Sequence, residues 1–167
     1  MAYVCERCGQ AHDGLPLDLA FGKPGAYLAL TARQQKAKCV LTEDICTIGK
    51  KRYFIRGCLA VPLKDTGGVF VWGLWAQVSA HVFQRYEKLL NVDAAGELPS
   101  FGALSVEREP LLRGMDQLPV MIRFGAAEKR PTFVLEPSNH WLCRDQHNGI
   151  TLHRLHQMLH AFFPHHF

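Results

Sequence analysis

The sequence predicts an α+β fold in a single domain spanning residues 1–167. It reads as a mostly antiparallel sheet with a few flanking helices and a zinc-knuckle-like turn at the N-terminus. Three observations predict it. Residues 44–78 hold three runs rich in β-branched and aromatic side chains, separated by turns that contain glycine. Amphipathic runs led by Ser or Thr lie between and after the strands. Two cysteines two residues apart stand close to the first residue.

The elements follow in chain order. Residues 1–12 form the knuckle, with Cys5, Cys8, Gly9 and His12. Residues 13–25 are rich in Gly and Pro and read as loop. Residues 26–38 are rich in alanine, with Arg and Lys toward the end, and Thr31 is placed to cap a short helix there. Asp44–Ile48 and Tyr53–Pro62 make the arms of a hairpin around a Gly-Lys-Lys-Arg turn, and Asp65–Gly68 turns the chain again. Val69–Val78 is the most apolar run and is expected at the centre of the sheet. Ser79 caps a helix to Leu90, whose stripe is Val82, Phe83, Tyr86, Leu89 and Leu90. Residues 91–102 read as loop, and 118–124 and 132–135 as two further short strands. After the turn at Asn148–Thr151, Thr151 caps a final helix, 151–163, which Pro164 stops.

Composition narrows the function classes. Apolar residues make up 48% and charged residues 20%, the balance of a globular chain. At 167 residues roughly two-thirds of the unfolded surface can be buried, so a core forms without staples. The net charge is +4 and the pI about 8.8, with basic residues scattered, which argues against nucleic acid as a partner. No run approaches the roughly 18 apolar residues of a membrane span. No basic region leads into an apolar one at the N-terminus, so the expected location is the cytoplasm. Six cysteines in such a chain point to thiols and metal ligands before disulfides.

The sharpest chemical motif is Cys5-Glu6-Arg7-Cys8-Gly9. Two thiolates with two residues between them can face one ion, and a glycine after the second relieves crowding where the chain passes the metal. That is half of a tetrahedral zinc site. Unligated surface thiols and a redox pair are the alternatives. Further ligands are sought in His12, Cys39, Cys46 and His140, with Cys58 and Cys143 as plausible buried packing residues. His153, His156 and His160 share one face of the last helix and read as a solvated stripe before a ligand trio. Glu136-Pro137-Ser138-Asn139-His140 reads first as a turn and second as an active-site loop. Phe70, Trp72 and Trp75 are expected in the core. Nucleophile-elbow, Walker, dinucleotide-binding and HExxH motifs are absent.

Several of these runs together resemble a bacterial family, DUF2199: Cys5-x-x-Cys8-Gly9-x-x-His12, Asp44-x-Cys46-x-Ile48, Phe54–Leu59, Val71–Trp75, Ser100–Leu104, Leu135–His140 and Gln146-x-x-Gly149-Ile150-Thr151. The resemblance covers nearly the whole chain. It implies a single-domain bacterial protein and brings no activity with it. The family's loop more often reads Thr-Asp before the histidine, where this chain has Ser138-Asn139. That substitution removes a carboxylate and weakens acid–base chemistry there.

The expectation that follows is a small protein holding structural zinc and acting, without catalysis, by binding another protein, in a regulatory or toxin-neutralising role. The alternative is a metal-dependent hydrolase with an open zinc position and Glu136 as base. Four protein ligands favour the first and three the second.

Overall fold

A computed structural model describes residues 3–4, 11–12, 14–112 and 114–164. Two short strands, β1 (Tyr3–Val4) and β2 (Ala11–His12), pair antiparallel with Tyr3 opposite His12. Among the described residues, a second, separate sheet has eight strands: β3 (Asp18–Ala20), β4 (Cys39–Leu41), β5 (Ile45–Ile48), β6 (Arg52–Pro62), β7 (Val69–Val78), β8 (Ser100–Leu104), β9 (Pro119–Arg123) and β10 (Thr132–Leu135). Helices α1 (Gly25–Leu28) and α2 (Ala32–Lys38) precede β4, and α3 (Ala80–Leu89) follows β7. Helices α4 (Trp141–Asn148) and α5 (Leu152–Phe162) end the described chain.

The long hairpin β6–β7, in register from Tyr53 opposite Val78 to Pro62 opposite Val69, organises everything else. From it the chain meanders through β8, β9 and β10, each antiparallel to the last. β10 then pairs with β6, closing a five-stranded barrel. The closing pair is parallel for a simple reason: strands that alternate direction make the first and fifth of five point the same way. Thr132 stands opposite Cys58, whose N–H donates to Pro131 O at 2.9 Å. The hairpin is longer than the barrel needs. Its remaining edges take β5 and then β4 beside β6, and β3, in parallel, beside β7. The mixed α+β class agrees with the sequence; the closed barrel is an addition to it.

Both faces of the hairpin are buried, which is why β7 reads as a nearly continuous apolar run. Ile55, Leu59, Val61, Trp72, Leu74 and Ala76 face the barrel interior with Ile122, Phe133 and Leu135. The opposite face carries Phe54 and Trp75, which pack with Cys46 and Ile48 under Phe21, Tyr27 and Leu30. Trp75 Nε1 donates to Phe21 O at 2.8 Å, satisfying the one polar atom of that ring. Phe70, Trp72 and Trp75 are all buried, as core residues.

Local signals account for the helix starts. Thr31 Oγ1 accepts the Gln34 N–H while the Gln34 side chain accepts the Thr31 N–H, a reciprocal capping box. Ser79 and Thr151 cap α3 and α5 in the same way, without the return bond. Some elements depart from the sequence expectation. β3 lies within a segment rich in Gly and Pro, β4 falls between the expected helix and the first expected strand, β8 begins where loop was expected, and α4 occupies a stretch with no Ser, Thr, Asp or Asn cap of its own.

Candidate metal centre

The N-terminal cysteines come first. Cys5 and Cys8 lie outside the described residues. What is described is the pair of strands on either side of them, with Val4 opposite Ala11 and Tyr3 opposite His12. His12 has its backbone in β2; its side chain is outside the described set.

Cys39 and Cys46 lie on adjacent antiparallel strands, with Leu41 opposite Cys46 and Cys39 opposite Ile48. They share the face that packs on Phe54 and Trp75. Cys46 is 0% exposed. Burial pushes its thiol up to about 12, and the neighbouring Cys39 adds to the shift. Cys39 is also raised by burial, against a smaller lowering by Lys38. Without a metal, this apolar cluster favours the thiol at both positions. Cys46 is part of the cluster's buried core and Cys39 packs partly against it.

His140 is the N-cap of α4. Its Nδ1 accepts the Leu142 N–H at 3.1 Å. A neutral imidazole has one lone pair, and in this arrangement the cap uses it. Nearby, Ser138 Oγ accepts the His140 N–H at 3.2 Å, and Cys143 Sγ donates to Glu136 O at 3.2 Å. The segment 136–140 is therefore a turn bonded to its own backbone, and Glu136 is exposed at its start. His140 and Cys143 belong to the end of the barrel that packs α4, whereas Cys39 and Cys46 lie on the outer face of the hairpin. Among the described residues, no group of three or more His, Cys, Asp or Glu side chains is placed to hold a metal ion.

A groove of about 370 Å³ between α1 and residues 105–117 offers little chemistry of its own. Two carboxylates line it: Glu107 is exposed, and Asp116 accepts the Val106 N–H at 3.2 Å and pairs with Arg108 Nε at 3.2 Å.

The last helix corrects the reading of a solvated histidine stripe. His153 is exposed, but His156 is only 3% exposed and sits between Leu155 and the buried pair Met158 and Leu159. The sequence held a signal for this. Position 156 is four after Leu152 and three before Leu159, inside the apolar stripe of α5. The His156 and His160 rings stand 6.0 Å apart, centroid to centroid, and the Nε2 atoms of both are withdrawn from solvent.

The family model described as an uncharacterized protein conserved in bacteria, DUF2199, matches residues 4–150. The chain belongs to the DUF2199 family. That DUF2199 span takes in Cys5, Cys8, His12, Cys39, Cys46 and His140, and it stops just short of α5. No curated protein and no solved structure matches the chain. Among the described residues of this DUF2199 member, no helix is long and apolar enough to cross a membrane.

Proposed function

We propose that this DUF2199 protein is a zinc-stabilised, non-catalytic module that binds another protein in the bacterial cytoplasm, in a regulatory or toxin-neutralising role. One observation carries the metal half of the reading: Cys5-x-x-Cys8-Gly9 connects two strands that pair with each other, Tyr3 opposite His12. A paired hairpin with two cysteines between its strands is the local frame in which a structural zinc ion takes two thiolates. The zinc would supply folding free energy to a hairpin too short to be stable alone.

Two features support binding over catalysis. The barrel interior is filled by side chains, with Trp72, Phe133 and Leu135 all buried. Leu98 and Phe101, three residues apart, are 79% and 58% exposed, which is the kind of surface a protein partner covers.

The deciding experiment is elemental analysis of untagged protein after dialysis against a mild chelator, with a count of protein ligands by X-ray absorption at the zinc edge. One equivalent held by four protein ligands is the expected result. Three ligands and a water would transfer the case to a hydrolase, and no metal at all would remove zinc from the account.

A further inference from the structure

The outer face of the long hairpin carries a cation that the fold leaves without a counter-ion. Along β6, Ile55, Gly57 and Leu59 point into the barrel, so Phe54, Arg56 and Cys58 point out. Arg56 is half-buried there. Its guanidinium lies over Trp75, 5.9 Å from the ring centroid, and its Nη1 donates to Glu43 O at 3.2 Å. Its Nε is withdrawn from solvent and has no hydrogen-bond partner among the described residues. No carboxylate among the described residues comes within ion-pair distance of it.

The topology places a second cation beside the first. The edge of β6 is paired with β5 as far as Ile55, opposite Ile45, and with β10 at Cys58, opposite Thr132. β5 runs against β6 and β10 runs along it, so both strands begin at this change of partner. The residues just before them are brought together: the Asp44 carbonyl accepts the Arg56 N–H at 3.0 Å, and the Asp44 carboxylate accepts from Arg130 Nε at 2.8 Å. Among the described residues Arg130 engages only that Nε, which leaves both of its terminal nitrogens as donors. Burial first and Arg130 second hold the Arg56 guanidinium below its ordinary value, against smaller opposing effects of Asp44, Cys58 and Glu43. β3 borders the group on its far side: a Cβ on Gly73 would stand 2.7 Å from the Ala20 Cβ and 4.0 Å from Arg56 Nη2.

A half-buried cation next to a second cation, with one donor orphaned, costs stability unless an anion joins it. The nearby acids do not take that place. Asp44 bridges to Arg130, and Glu43 meets Arg56 through its backbone carbonyl. Guanidinium groups match an oxyanion well, because each planar fork can donate two parallel bonds to two oxygens.

We infer that Arg56 and Arg130 form a binding site for a small oxyanion, the phosphate or carboxylate group of a soluble ligand, at the point where β5 and β10 begin. The site does not depend on the zinc proposed above. A small rotation of the Arg56 guanidinium turns Nε toward the anion. The bound charge offsets the repulsion between the two arginines and ties the starts of the two strands to β6.

The test titrates inorganic phosphate and, separately, acetate into the whole protein at constant ionic strength, with chloride as the control. The thermal midpoint should rise and then level off with at least one of them, as binding to the folded state requires. A response to phosphate alone assigns a phosphate-bearing ligand, a response to acetate alone a carboxylate, and a response to both a site that takes either. Arg56→Met, which keeps an unbranched chain against Trp75 without the charge, should lose the rise. Arg52→Met removes the same charge two turns of the pleat away and should keep it. In ¹H–¹⁵N spectra of the wild-type protein, the Arg56 Nε–H signal, identified by its absence from Arg56→Lys, should move with the same saturation. That readout stands even if Arg56→Met fails to fold. No rise beyond chloride in the wild type would overturn the site. So would an equal rise in Arg56→Met, an equal loss in Arg52→Met, or an Arg56 Nε–H signal that stays in place.

Discussion

The ring of Phe133 occupies the space in which a Cβ on Gly57 would stand. Gly57 faces the barrel from β6, and Phe133 faces it from β10, the strand whose parallel pairing closes the barrel. An added methyl group there must displace an aromatic ring that is 1% exposed. Gly57→Ala should therefore cost about 1–3 kcal/mol, the usual range for overpacking a filled core. Urea midpoints measure it. Phe133→Leu in the same chain should recover part of the loss, since neighbouring substitutions couple. A Gly57→Ala midpoint equal to wild type would mean that the closure is looser than this contact implies.

Cys46 makes the protein sensitive to alkali. Its thiol is pushed from the ordinary value of 9.0 up to about 12 by burial first and by Cys39 second. Tyr86 is raised to about 12 as well, chiefly by burial. In both cases the folded state holds a proton that the unfolded state releases. The stability from Cys46 is thus fully present below about pH 9 and is lost as pH rises toward 12, with Tyr86 adding to the fall from about pH 10. Urea midpoints should drop between pH 8 and pH 10.5, and Cys46→Ala should make that drop shallower. At pH 8, a thiol reagent should modify the half-exposed Cys58 well before Cys46. Equal rates for the two would contradict the burial of Cys46.

Asp65, in the turn between β6 and β7, anchors the start of α5. Both carboxylate oxygens accept the Leu152 N–H, at 3.1 and 3.0 Å, while Thr151 Oγ1 accepts the Arg154 N–H at 3.1 Å. The negative charge also faces the positive end of the helix dipole. Asp65→Ala should cost about 0.5–2 kcal/mol, as loss of a helix cap does. Asp65→Asn, which keeps an oxygen acceptor, should cost less. Unchanged stability would show that Thr151 alone holds the helix start.

Removal of the metal should resemble removal of a thiolate. Binding free energy at a structural zinc site is folding free energy, so a strong chelator should lower the thermal midpoint of the wild-type protein. Cys5→Ser and Cys8→Ser should begin at that lower midpoint, and the chelator should have no further effect on them. An additional fall on chelation of either variant would place the ion elsewhere. His153→Ala should match wild type with and without chelator.

What the sequence determined by itself was local. The capping residues Thr31, Ser79 and Thr151 start their helices because a side-chain oxygen accepts the N–H three residues ahead, an interaction that needs no partner from elsewhere. The long hairpin was legible because apolar β-branched and aromatic residues fill both arms around a short turn. The family was legible in the same motifs, and the cysteine spacing of the knuckle is a property of the sequence alone. The tertiary structure decided the rest. β3 and β4 have three residues each and β8 has five, and they exist because β7 offers an edge to β3 and β8 and β5 offers one to β4, which no local preference encodes. Helix α4 starts at a histidine whose Nδ1 does the work usually given to a hydroxyl or carboxylate oxygen. Cys39 and Cys46 had the residue type of ligands; packing on Phe54 and Trp75 buries Cys46 and half-buries Cys39. His156 had the residue type of a surface group, and the docking of α5 against the barrel buried it. Residue type sets what a side chain can do; whether water reaches it depends on contacts distant in the chain, and those contacts set the charge of a thiol and the availability of an imidazole.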